Sequence, residues 1–212
     1  MFIFPGGSPA PAVMTYIGST PHTPNNTSAT YTAHAIGTAS ADRLVIVAAT
    51  GNMTSGEISG VTCGGIAMTE VVKANGSGRA TGIYSLVVAS GTTATIVVSY
   101  TGTSVQSSIS VYTLTSLSST TATHTASNTG VDSVATASIN YSAYGAVIGV
   151  CIIDDTPDVT WTNLTENYDA GIEVSSGHSA ASKTVTTTVT GESVSVTFSG
   201  SDNHSLVVAS WR

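Results

Sequence analysis

The 212-residue chain carries 5 Lys+Arg against 12 Asp+Glu, giving a formal net charge of −7 and a pI near 4.9. That balance opposes a polyanionic partner, because affinity for nucleic acid comes chiefly from Lys and Arg displacing counterions from phosphates. Hydrophobic residues make up 41% of the chain and charged ones 8%, which supplies a core of ordinary size but little material for a tuned active site.

The first charged residue is Asp42, and five of the six prolines (Pro5, Pro9, Pro11, Pro21, Pro24) precede it. Residues 1–13 join an apolar tip, Phe2-Ile3-Phe4, to a Pro/Gly-rich stretch that neither propagates a helix nor sits in a central strand. The reading is an extended N-terminal arm whose tip, Phe2, Ile3, Phe4 and Pro5, docks on a neighbouring subunit or partner. No basic residue opens a secretory signal and no apolar run reaches the length of a membrane span. A soluble chain with no membrane partner is therefore expected.

From Met14 onward the pattern is one of strands, with no helical period. Leu44–Ala49 and Ala146–Ile153 are short continuous apolar runs, the mark of strands covered on both faces. Thr95–Tyr100, Ser107–Tyr112 and Ser193–Phe198 alternate small polar with apolar residues, the period of half-buried strands. The glycine-rich stretch Asn75–Gly82 is no phosphate-binding motif and reads as a mobile hairpin loop.

These blocks recur in order at a spacing near 100 residues. Met68–Ala74 matches Leu164–Ala170, Thr95–Gly102 matches Ser193–Gly200, Ile109–Val111 matches Val207–Ala209, and the run at Leu44 corresponds to that at Val147. The expected fold is an all-β, antiparallel β-sandwich, jelly-roll-like, built from two pseudo-symmetric repeats of roughly residues 14–115 and 116–212. Cys63 and Cys151 are too few for a disulfide framework and read as buried free thiols.

The stretch Val61-Thr62-Cys63-Gly64-Gly65-Ile66-Ala67-Met68-Thr69-Glu70-Val71, the strands that follow it and the terminal strand ending in Trp211 resemble a hairpin pattern of β-sandwich proteins of bacteriophage virions. Position 63 is Cys where that pattern commonly has an aromatic. The resemblance implies a non-enzymatic virion component, foremost a capsid decoration or cement protein that binds the major capsid protein. On that reading the chain is made in the host cytoplasm, sits on the capsid surface as a homo-oligomer, a trimer, and needs no cofactor. A carbohydrate-binding module is the second reading, with Trp161 and Tyr168 stacking on sugar rings.

Candidate chemistry is sparse. Asp154, Asp155 and Asp158 form the one acidic cluster, a weak Ca²⁺ candidate without EF-hand spacing. Glu70 and Glu166 fall at equivalent repeat positions, which duplication accounts for without a catalytic pair. His178 and His204 lie near Ser176, Ser179, Ser201, Asp202 and Ser205, but no nucleophile elbow accompanies them. No catalytic residue is expected.

Overall fold

The computed structural model describes residues 10–53, 55–154, 158–172 and 175–212, and every regular element among them is a β-strand. In chain order these are β1 (Val13–His22), β2 (Asn26–Ala35), β3 (Leu44–Met53), β4 (Ile58–Cys63), β5 (Ile66–Ala67), β6 (Thr69–Gly76), β7 (Arg79–Val87), β8 (Thr93–Thr115), β9 (His124–Tyr141), β10 (Ala146–Asp154), β11 (Thr160–Thr162), β12 (Thr165–Gly171), β13 (Ser176–Thr184) and β14 (Val189–Trp211). All pairings are antiparallel, and the strands form two sheets. The first runs β5-β4-β8-β3-β7-β6, with β1 and β2 also on β8; the second runs β11-β14-β10-β13-β12, with β9 also on β14.

The two apolar runs become β3 and β10, each flanked by strands on both sides and buried along its length. Period two then divides their side chains between cores. Val45, Val47 and Ala49 enter a core on one face of the first sheet, with Tyr84, Ile96, Val98 and Ile109. Val147, Cys151 and Ile153 enter a corresponding core of the second sheet, with Trp161, Val194, Val196 and Leu206. The alternate residues, Leu44, Ile46 and Ala48 and Ala146, Ile148 and Val150, meet in a third core between the sheets, closed by Tyr112, Leu114, Val207 and Trp211.

Two expectations change at β8. The segments Thr95–Tyr100 and Ser107–Tyr112 belong to one 23-residue strand, not two. Its first half, through Tyr100, lies between β2 and β4, and its second half, from Ser107, lies between β1 and β3. Exchanging partners along its length lets a single strand serve both regions. Ser107–Tyr112 is also buried on both faces rather than half-buried. Small serine side chains can be buried on either face of the strand when each hydroxyl finds a partner, as Ser107 does with Thr50 O (3.1 Å) and Ser108 with Thr20 O (3.2 Å).

The Asn75–Gly82 stretch is a tight turn rather than a mobile loop. Gly76 pairs directly with Arg79, and the two residues between them, Ser77 and Gly78, both have positive φ (48° and 80°). This is the backbone that matches strand twist in a two-residue hairpin. At the amino end, Ala12 is buried and its N–H donates to Tyr144 O (2.8 Å), so the packed fold begins before Val13. Phe2, Ile3, Phe4 and Pro5 lie outside the described residues.

Candidate functional site

The face that each central strand turns toward the other sheet changes character along its length. On β3, Leu44, Ile46 and Ala48 are followed by Thr50 and Asn52; on β8, Leu114 and Tyr112 give way to Ser110, Ser108 and Gln106. On β7, Ile83 is succeeded toward the turn by Thr81 and Arg79. The second sheet follows the same course: Ala180 leads to His178 and Ser176 on β13, and Ala209 and Val207 lead to Ser205 and Asn203 on β14. One end of the interface is therefore a dry core and the other a polar seam of buried hydrogen-bonded side chains.

His178 is at the centre of the seam. Its Nδ1 is 2.8 Å from Thr50 Oγ1 and its Nε2 is 2.8 Å from Ser110 Oγ. A neutral imidazole has one donor and one acceptor nitrogen, so one hydroxyl accepts from the ring and the other donates to it. Full burial pushes the ring's pKa down from 6.5 to about 3, holding it neutral. Ser110 Oγ lies 2.5 Å from Ser19 Oγ, which in turn lies 2.8 Å from Tyr16 Oη. The Ser110–His178 contact has the spacing of a nucleophile and its base, but Thr50 takes the place where a carboxylate would orient the ring. A base with so low a pKa accepts few protons near neutrality.

Beside it, Asn52 Nδ2 donates to Gln106 Oε1 (2.8 Å) and to Ser176 Oγ (2.8 Å), while Gln106 Nε2 donates to Ile172 O. Thr81 Oγ1 meets Ser205 Oγ at 2.7 Å. The Arg79 guanidinium donates to the Asp154 carboxylate and to Asn52 Oδ1, and Asn203 Nδ2 completes Asp154 at 2.6 Å. Each of these groups supplies a partner to another that is withdrawn from water, as buried polar groups require.

The residues singled out by sequence fall in different places. Asp154 is committed to Arg79 and Asn203, Asp158 is exposed, and Asp155 lies outside the described residues. Among the described residues no three His, Cys, Asp or Glu side chains converge as metal ligands. Trp161 is only 8% exposed; its ring packs in the second sheet's core over Gly149, and its Nε1 donates to Ser179 Oγ (2.7 Å). It presents no open face for a sugar. Tyr168 is half-buried, with its ring 5.7 Å from that of His178.

Glu70 is held by Lys73 at 3.4 Å and lines an open groove of about 420 Å³ with Leu44, Thr69, Leu86 and Thr121. Burial, together with Asp169 and Asp158, raises the Glu166 carboxyl above its ordinary value. His204 is buried with its Nε2 donating to Asn128 Oδ1 (2.7 Å), so it forms no set with the nearby serines. Ser176, Ser179 and Ser205 hold structural partners, Asn52, Trp161 and Thr81. Ser201 Oγ donates to Val131 O (3.4 Å), and Asp202 faces Asp132 across the strands. Cys63 and Cys151 are free and buried, and burial raises both thiols.

Thr50, Asn52, Arg79, Gln106 and Ser110 were not singled out by sequence. The signal is present, since each is a polar residue at an every-second position of a strand whose same face is apolar toward its other end. It becomes readable only when the facing strands are known. The chain matches no known protein-family model and no curated protein sequence.

Proposed function

We propose that the chain is a non-enzymatic structural protein of a bacteriophage virion, a capsid decoration or cement protein, folded as a duplicated, jelly-roll-like β-sandwich. The observation that carries the structural role is the polar seam: His178 with Thr50 and Ser110, Asn52 with Ser176, and Arg79 with Asp154 join one sheet to the other. Side chains spent on joining sheets serve rigidity, a property suited to a protein that reinforces a lattice. The virion assignment rests on the hairpin and strand resemblance around Val61–Val71.

Duplication is supported by strand order. β4-β8-β3-β7-β6 in the first sheet reads against β11-β14-β10-β13-β12 in the second, and β8 and β14 are both 23-residue strands that exchange partners midway. The glycan-binding alternative loses its leading residue to the core, because Trp161 is covered.

The test is the copy number of the chain in purified particles, measured by quantitative mass spectrometry. Hundreds of copies per particle are expected for a capsid coat. A handful would move the chain to a tail, and none, or a robust rate in an esterase and glycosidase screen, would overturn the proposal. The same count on a variant lacking residues 2–9 tests the arm; deletion stops short of Ala12 because that residue is packed.

A further inference from the structure

The third core, shared by the two sheets, reaches the surface beside β7. A groove of about 420 Å³ opens there between the first sheet and the segment leading into β9. Leu44 belongs to that core, Val71 and Ala122 pack against it, and all three line the groove with Leu86 and Val87. Val87 is left 49% exposed. Glu70 is the one charged residue of the lining, and Lys73 engages it. An apolar concavity of this size is large enough to bury bulky side chains.

The described chain begins close to this groove. Ala10 O accepts from the Arg212 guanidinium (3.4 Å), and the Arg212 carbonyl accepts from the N–H groups of Ser118 (2.9 Å) and Ser119 (3.0 Å). The groove wall at Thr120 and Thr121 follows directly. A single residue therefore touches both the start of the described chain and the approach to the wall. Phe2-Ile3-Phe4 lies six to eight positions before Ala10, which gives it a reach of at most about 20–28 Å in extended backbone.

We propose that Phe2, Ile3 and Phe4 dock in this groove of their own chain and extend the third core to its rim. The chemistry matches: Phe2 and Phe4 are two of the three phenylalanines, and the third, Phe198, is already in the second sheet's core. No charged residue precedes Asp42, so the tip carries no side-chain charge into an aliphatic groove. Tethering favours the chain's own tip over a neighbour's, because a short linker sets an effective concentration on the order of millimolar. A second groove, of about 290 Å³, is also within reach, since Val13 lines it. Its aliphatic lining is smaller, with Ile17 and Ala39 beside Val13 and the remainder Gly, Thr and Ser. The inference does not rest on the virion proposal.

The test is oxidative cross-linking of the full chain carrying Ile3→Cys and Thr121→Cys, the two native cysteines being buried. A disulfide within one chain, located by peptide mass spectrometry without reduction, is expected at a yield at least about tenfold above that of Ile3→Cys with Thr38→Cys at the second groove. Adding Phe2→Ser and Phe4→Ser is expected to lower the Thr121 yield to that of the Thr38 pair, as a tip held by its aromatic rings requires. Unchanged thermal midpoints under reducing conditions show that the variants fold. No disulfide at Thr121, equal yields at the two grooves, or a yield indifferent to the serine substitutions would overturn the proposal. Cross-links formed only between chains would also overturn it and give the groove to a neighbour's tip.

Discussion

Glu70 and Glu166 hold corresponding points of their two sheets. Glu70 lies opposite Tyr84 and a bulge follows before Val72 meets Ile83; Glu166 lies opposite Ala181 and a bulge follows before Tyr168 meets Ala180. A bulge inserts one residue and re-aims the side chains beyond it. The bulged residue of β12 reaches the other sheet, since Asn167 Oδ1 accepts from Tyr112 Oη (3.1 Å), and it also accepts from Ser182 Oγ (2.7 Å) of its own sheet. Two glutamates at matched bulges fit the proposed duplication and need no catalytic pairing.

The polar seam makes stability depend on pH through His178. Its folded pKa, about 3, lies below the unfolded value of 6.5, so the unfolded chain takes up the proton first. Stability is complete above pH 6.5 and declines as pH falls toward 3, by about 1.4 kcal/mol per pH unit. Glu166 and Asp169, whose carboxyls burial raises, act in the opposite direction because the fold holds their protons more tightly. Urea unfolding of the parent and of His178→Gln between pH 7 and 4 isolates the histidine. The parent is expected to lose stability more steeply, and equal slopes would refute the buried neutral ring.

Arg79 and Asp154 tie β7 to β10, with side chains 14% and 22% exposed. Removing one partner strands a mostly buried charge, and Arg79→Met or Asp154→Asn is expected to cost about 2–4 kcal/mol, somewhat less than for a fully buried pair. The double variant should cost less than the sum of the singles. A double-mutant cycle by chemical denaturation checks this, and strict additivity would mean that the pair is not coupled in solution.

Trp161 stands on the bare backbone of Gly149, where a Cβ would lie 2.9 Å from ring atom Cζ3 and 3.0 Å from Leu164 Cδ1. Trp161→Ala is expected to cost about 3–5 kcal/mol through the cavity it leaves, and Gly149→Ala about 1–3 kcal/mol through overpacking. Thermal unfolding of the two variants measures both effects. A Trp161→Ala protein as stable as its parent would place the ring outside the core.

The all-β class and the two central strands were legible in the sequence by itself. Leu44–Ala49 and Ala146–Ile153 are too apolar to face water and too short to be buried helices, and the Thr/Val alternation elsewhere has the period of a strand. Burial of the free thiols was likewise readable, because two distant cysteines in an apolar setting behave as small hydrophobes. The tertiary structure decided what local pattern could not. Ser107–Tyr112 has the same alternation as a half-exposed strand, and only the arrival of the second sheet covers its polar face and turns those serines into bonding groups. Trp161 looks like an exposed loop aromatic until β11 pairs with β14 and lays it over Gly149. Thr50 and His178 are 128 positions apart and carry no mutual signal. Their contact exists because polar residues at every-second positions of separate strands face one another once two sheets close, and the cost of burying each alone makes them pair.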